Sequence, residues 1–324
     1  MKTILRCGAI LLVFLTSCQP ASDSTPDTDK LFTLLTPEFT GVDFRNPIEE
    51  TEKENHLVND MLISGAGVAI GDINNDGLSD LFFTGNQVQD RLYLNRGNLR
   101  FEDITDKAGI LPEKIWSSGA TFGDVNIDGY LDLYVSKYAY GESQLGENLL
   151  YINNGDLTFS EKAAEWGLAD RGFSVQATFF DFDMDGNLDL YLLNQPPSKG
   201  NRKGNKVTLS RLKSIYYTDK IYRNTGEGQF FNATDWAGVN NLAMGLSATV
   251  GDLNNDLLPD IYVANDYERP DHLYINQGMG KYKNMANQSL KHMSNFSMGT
   301  DIADYDNDGL LDIVAVDMVA EDHK

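Results

Sequence analysis

Five copies of one nonapeptide constrain this chain more than anything else in it. Each copy places an oxygen-bearing side chain at its first, third, fifth and ninth positions, and four carry glycine at the sixth. They are Asp72, Asn74, Asp76 and Asp80; Asp124, Asn126, Asp128 and Asp132; Asp181, Asp183, Asp185 and Asp189; Asp252, Asn254, Asp256 and Asp260; and Asp304, Asp306, Asp308 and Asp312. A single such run reads as an Asx-rich surface turn, because Asp and Asn bond their own backbone. A turn uses one or two of those oxygens, whereas a cation uses all four. Ca²⁺ takes about 6–8 oxygen ligands, and the spacing is that of the front half of an EF-hand loop, with the seventh residue adding its carbonyl. The acid an EF-hand places at its twelfth position is replaced in the first copy by Phe83, inside an apolar run. These loops are therefore expected between strands, with Ca²⁺ as the cofactor. The fourth copy has Leu257 at the sixth position, where a positive φ is expected to cost a side chain about 1 kcal/mol or more. Its site is expected to be the weakest.

The runs around each nonapeptide fix the strands. A short run rich in Gly, Ala and Thr precedes each loop, as in 67–70 and 119–122, and a β-rich run follows, as in 81–84 and 133–136. Both have the length and the turn boundaries of strands. In four repeats a hairpin comes next, Leu/Ile-Tyr-x-Asn-x-Gly, around Tyr93, Tyr151, Tyr222 and Tyr274, with an aromatic residue eight positions further on. From each hairpin tyrosine to the next loop's first aspartate the offset is 30 or 31 residues. From that aspartate to the following tyrosine it varies from 21 to 41. Four short strands, here A to D, recurring at this period form the blade of a β-propeller. The fold class is all-β, with four-stranded antiparallel blades, calcium loops between A and B, and A innermost where blades crowd the axis.

The alternation of Gly-Asp-x-Asn-x-Asp-Gly-x-x-Asp with Leu-Tyr-x-Asn-x-Gly resembles the FG-GAP/VCBS repeat family. That family includes the calcium-binding blades of integrin α-subunits, and the likeness is closest to bacterial secreted repeat lipoproteins of the ASPIC/UnbV-associated type. It runs over about residues 64–317. It implies a calcium-binding propeller and leaves function open, since such propellers serve adhesins, ligand-binding proteins and accessory domains of enzymes. The fifth repeat has an A–B pair and no C–D hairpin. Extended fragments at 31–35 and 41–44 are candidates to complete it as a closed five-bladed ring; lacking the hairpin motif, they favour an incomplete, larger propeller instead.

Residues 1–17 read as a signal peptide, with Lys2 and Arg6 ahead of a short apolar core. Leu15-Thr16-Ser17-Cys18 resembles a lipobox, which makes Cys18 the expected lipidation site. Residues 18–30 read as a flexible tether, 31–63 as an N-terminal extended segment and 64–324 as the propeller. The expected location is extracytoplasmic, as a bacterial membrane-anchored lipoprotein held only by its lipid. A net charge of −22 argues against nucleic acid, which needs a basic footprint. One basic segment stands out in the longest B–C loop: Lys199, Arg202, Lys203, Lys206, Arg211 and Lys213, with Tyr216 and Tyr217. The same loop holds Asp219 and Lys220. It is the candidate site for a glycan or protein ligand, and a binding or adhesion module is the expected function. The alternative is an accessory or catalytic propeller of a polysaccharide-degrading enzyme. None of His56, His272, His292 and His323 lies in a catalytic motif, 17 of the 48 acidic residues are committed to the loops, and His272 reads as structural.

Overall fold

The computed structural model describes residues 31–52, 55–57, 60–112, 115–138, 146–196, 216–266 and 269–318. Signal peptide, tether, Cys18 and the six basic residues of the candidate ligand loop lie outside them. Contacts divide the chain into a unit ending at Thr36 and one running from Pro37 to Lys324. Residues 31–36 form no helix or strand; the second unit holds all the sheets.

Four blades are four-stranded antiparallel sheets in sequence order. Blade 1 comprises β1 (Val68–Gly71), β2 (Asp80–Phe83), β3 (Arg91–Asn95) and β4 (Phe101–Asp103). Blade 2 comprises β5 (Ser117–Gly123), β6 (Asp132–Lys137), β7 (Leu149–Asn153) and β8 (Phe159–Glu161). Blade 3 comprises β9 (Ser174–Phe180), β10 (Asp189–Asn194), β11 (Lys220–Asn224) and β12 (Phe230–Asn232). Blade 4 comprises β13 (Met244–Gly251), β14 (Asp260–Asp266), β15 (His272–Asn276) and β16 (Tyr282–Asn284). The fifth sheet pairs only β17 (Ser297–Ala303) with β18 (Asp312–Asp317) among the described residues. A one-turn helix follows the outer strand of each complete blade: α2 (Thr105–Ala108), α3 (Ala163–Trp166), α4 (Thr234–Ala237) and α5 (Ala286–Ser289).

The A strands are the inner ones, each beside the next, and their small residues are the reason. A Cβ on Gly67 would lie 2.8 Å from Gly119 Cα, and one on Gly119 would lie 2.7 Å from the Val175 carbonyl oxygen. The core lies between blades. Phe82, Leu92 and Leu94 of blade 1 pack with Leu133, Val135 and Tyr151 of blade 2. Tyr191, Leu193 and Ile221 of blade 3 pack with Ile261, Val263 and Tyr274 of blade 4. With a blade on either side, β6, β10 and β14 are buried along their whole length. The same kind of run in β18 leaves Val314 and Val316 exposed, and Val68 and Ile70 of β1 are exposed too. Both end blades of the row therefore show apolar side chains to solvent.

The N-terminal fragments correct one expectation, since neither 31–35 nor 41–44 is a strand. Between them lies a one-turn helix, α1 (Pro37–Thr40). From there the chain runs along blade 1, and among the described residues β18 pairs only with β17. Phe44 stacks on Phe83 with centroids 5.2 Å apart, and Tyr93 Oη donates to Asp43 at 3.0 Å. Asn46 accepts from the Asn86 backbone N–H at 3.0 Å, and Leu62 is buried with Trp116 and Tyr138. Side-chain anchors replace a strand ladder here, and Pro37 and Pro47 each remove a backbone donor that a ladder would need.

Candidate functional site

Each nonapeptide is the A–B turn, as its spacing predicts. The closing pairs are Gly71↔Asp80, Gly123↔Asp132, Phe180↔Asp189, Gly251↔Asp260 and Ala303↔Asp312. The five loops share one internal pattern. The first aspartate accepts the backbone N–H groups of the fifth and sixth residues: for Asp72, those of Asp76 at 3.1 Å and Gly77 at 2.7 Å. The fifth accepts the N–H of the seventh, as Asp128 does from Tyr130 at 2.8 Å. The ninth accepts the N–H of the second; in the complete blades it also takes the N–H of the hairpin asparagine. Asp132 thus bonds Val125 N and Asn153 N at 3.0 and 2.9 Å. Backbone donors curl the loop and aim its remaining oxygens inward.

The sixth residue has positive φ throughout, +83° at Gly77 and +92° at Gly186, and Leu257 adopts the same conformation at +67°. Leu257 N–H still donates to Asp252 at 2.9 Å, and its side chain is 81% exposed. The leucine therefore costs backbone strain without changing the loop. The fourth position is left-handed as well, at Asn75, Ile127, Met184, Asn255 and Asn307. Asparagine tolerates that region, whereas isoleucine adopts it at a cost in strain.

The donor set consists only of oxygen, which suits a hard cation. One carboxylate oxygen each of Asp181, Asp183 and Asp189 lies within 4.8 Å of the others, and Asp304, Asp306 and Asp312 converge in the same way. Asp183 Oδ1 is buried and has no hydrogen-bond partner, a cost that a coordinated cation would remove. In three loops the third residue is Asn74, Asn126 or Asn254, whose amide donates to the fifth-position aspartate at 2.7–3.0 Å. Burial pushes Asp132 and Asp189 up to about 7, against the pull of their two backbone donors, and raises Asp80 and Asp260 as well. A divalent cation in the loop would favour the charged form and reverse that shift. The third loop has a further partner: Arg223 Nε and Nη2 reach Asp183 and Asp185, each at 2.5 Å.

Two repeated polar locks join the blades, and neither was read from the sequence. The hairpin asparagine reaches back into the preceding blade. Asn153 Nδ2 donates to the Ile73 carbonyl at 2.8 Å, Asn224 Nδ2 to Val125 at 2.8 Å and Asn276 Nδ2 to Phe182 at 3.1 Å. Each acceptor is the second residue of an acidic loop, so loop shape and blade contact are coupled. The second lock is the residue just before strand C: Asp90, Asn148, Asp219 or Asp271. Its Oδ1 accepts the N–H of Gly85, Lys137, Asn194 or Asn265 at 2.7–2.9 Å. Its other side-chain atom meets a polar group leading into the next blade: Ser117 Oγ at 3.0 Å, Ser174 Oγ at 2.9 Å, Asn241 Nδ2 at 2.8 Å or Ser297 Oγ at 2.8 Å. The signal was an Asx three residues before each hairpin tyrosine, in Asp90-Arg-Leu-Tyr93 and its repeats.

That lock revises the candidate ligand loop. Asp219 is fully buried and also accepts from Tyr191 Oη at 2.6 Å, while buried Lys220 opens β11 and pairs with Asp170. Both serve the blade interface. Tyr216 is exposed, and Tyr217 is half-buried against Phe173. His272 meets Tyr274 Oη at 2.7 Å at the head of β15.

Residues 72–135 and 252–315 match the FG-GAP-like repeat family, each span holding two acidic loops and leaving the Asp181 loop outside. Among curated proteins the chain is 30% identical to human cartilage acidic protein 1 over 133 residues and 31% identical to the mouse protein, in both cases over 40% of this chain. It spans about a fifth of the length of those relatives. Among solved structures it is similar to an Agrocybe aegerita lectin that recognises non-reducing terminal N-acetylglucosamine. That likeness has a TM-score of 0.43 and 20% identity, and it covers 76% of this chain and 59% of the lectin. The chain thus carries FG-GAP-like repeats in two regions of an all-β fold built from propeller blades.

Proposed function

We propose that the chain is a calcium-stabilised, lipid-anchored, extracytoplasmic β-propeller module that binds a glycan or a protein. The observation that carries the calcium reading is the set of five A–B loops with one oxygen-only geometry, in two of which three carboxylates converge within 4.8 Å. An ion there would link the first, third, fifth and ninth residues of a loop. Because the ninth residue bonds the hairpin and the hairpin asparagine bonds the preceding loop, ion binding would stiffen neighbouring blades together. The ion's work is structural, and the module presents a rigid surface to its ligand.

Lipid anchoring at Cys18 and a bacterial surface or periplasmic location rest on the sequence alone, as does the closer likeness to the ASPIC/UnbV-associated type. Isothermal titration of the metal-stripped chain tests the central element. Calcium uptake at several sites with Kd of about 10⁻⁴–10⁻³ M is expected, and Asp76→Ala together with Asp80→Ala should remove one of them. A titration without heat of binding up to millimolar calcium would overturn the reading. Release of the Cys18→Ala protein from the membrane fraction tests the anchor.

A further inference from the structure

Blade 3 departs from the other complete blades at three repeat positions, and the three side chains meet. The residue between the hairpin tyrosine and asparagine is Leu94, Ile152 and Ile275 in the other blades and Arg223 here. The residue after the outer-strand aromatic is Glu102, Ser160 and Lys283 in the others and Phe231 here. The third residue of the following helix is Lys107, Glu165 and Gln288 in the others and Trp236 here. Arg223 and Phe231 are direct partners across β11 and β12. The Arg223 guanidinium lies 5.9 Å from the Phe231 ring centre and 6.0 Å from that of Trp236. With Asp183, Asp185 and Met279 of the next blade's hairpin turn, these side chains line a cavity of about 560 Å³, within the roughly 300–1,000 Å³ typical of small-ligand sites.

The chemistry of this cavity selects its occupant. Phe231 is 45% exposed and Trp236 is 39% exposed, at positions where the other blades carry polar or charged side chains. Trp236 is held edge-on by Phe182, with centroids 5.4 Å apart, so its ring is a fixed platform. Arg223 is fixed by two aspartates, and Lys281 Nζ lies 5.2 Å from the Trp236 ring centre; two cations against two aspartates leave no net attraction for an anion. An aromatic face beside a planar guanidinium preoriented by two aspartates suits a ring with an apolar C–H face and a rim of hydroxyls. We propose that this cavity seats a neutral hexopyranose at the end of a glycan. Trp236 and Phe231 lie against its C–H face, and Arg223 bonds its hydroxyls. The assignment rests on the reading of the chain as a binding module, and it moves the ligand from the basic B–C loop to the boundary of blades 3 and 4.

The probes are the methyl glycosides of glucose, galactose and mannose, observed by saturation-transfer-difference NMR with the full chain in millimolar calcium. At least one is expected to show ring-proton saturation. A tenfold or greater loss is expected in Trp236→Lys and in Phe231→Glu, which install the blade 1 residues. Phe231→Glu alters a side chain that is already half-exposed, so it carries the test if Trp236→Lys fails to fold. Absence of saturation with all three probes would overturn the assignment, as would saturation that survives Phe231→Glu. Parallel binding to sulfated or uronic glycans that is abolished by Lys206→Ala with Arg211→Ala, with no neutral sugar bound, would also overturn it, while the binding-module reading would stand. Failure of that wider reading would show instead as no glycan bound by either surface.

Discussion

Replacing Ile127 with asparagine should stabilise the protein, although it exchanges an apolar residue for a polar one. Ile127 sits at the fourth loop position with φ +58°. The left-handed region costs a residue with a Cβ about 1–2 kcal/mol, and a β-branched residue is among the worst placed there. Asparagine relieves most of that cost. The side chain is 65% exposed, so about a third of the roughly 1.5–3 kcal/mol available from full burial is forfeited. The repeat offers a return: in the preceding loop, Asn75 Nδ2 donates to the Gly129 carbonyl at 2.8 Å. An asparagine at 127 is placed to reach Gly186 in the same way, for a net ~0.5–1.5 kcal/mol. The balance is a gain of about 1 kcal/mol, or a rise in Tm of about 2–4 °C for a domain of this size class. Calorimetric melting at saturating calcium measures it, with Ile127→Ala as the control that removes the side chain but keeps most of the strain. An asparagine variant that melts no higher than the alanine variant would refute the reasoning.

Leu257→Gly relieves the same kind of strain, partly offset by about 0.4–1 kcal/mol of added chain entropy in the unfolded state. Calcium titration of the variant should show the fourth site strengthened relative to wild type, and an unchanged isotherm would deny any role to that strain. Asn224→Ala removes the donor to the carbonyls of Val125 and Leu188. It should cost about 1–3 kcal/mol for the acceptors left buried, read as a lower urea midpoint. Burial raises Asp219 to about 7, so the folded state holds a proton that the unfolded state gives up from near pH 4 upward. Stability from this group is present at the acid end of that window and is lost as pH rises towards 7. The fall in Tm between pH 5 and 7.5 should therefore be shallower in Asp219→Asn than in wild type.

What was legible in the sequence was what repeats with fixed chemistry. The four oxygens and the glycine marked the A–B turns, and Tyr-x-Asn-x-Gly marked the hairpins. The small residues ahead of each loop marked the inner strand. Features whose residue type drifts between repeats were not legible. The left-handed fourth position holds Asn, Ile and Met in turn, so no residue type announced it. The hairpin asparagine was read as a turn former because its second role, the bond to the preceding loop, joins Asn224 to Val125 across 99 residues. Arg223 was hidden in a variable position, and its meeting with Asp183 and Asp185 depends on the cross-strand fold. The fragment at 41–44 has strand-like composition, and its course was decided by side-chain anchors such as Phe44 on Phe83.

The most direct measurement of the calcium claim is the melting midpoint of the full chain in EDTA against the same chain in millimolar calcium. Each site held at tenfold its Kd adds about 1.4 kcal/mol to the folded state, and the coupling of loops to neighbouring blades spreads that gain over the whole unit. A midpoint lower by many degrees in EDTA, restored by calcium and by no equal concentration of sodium, is predicted. The same midpoint in both buffers would contradict it.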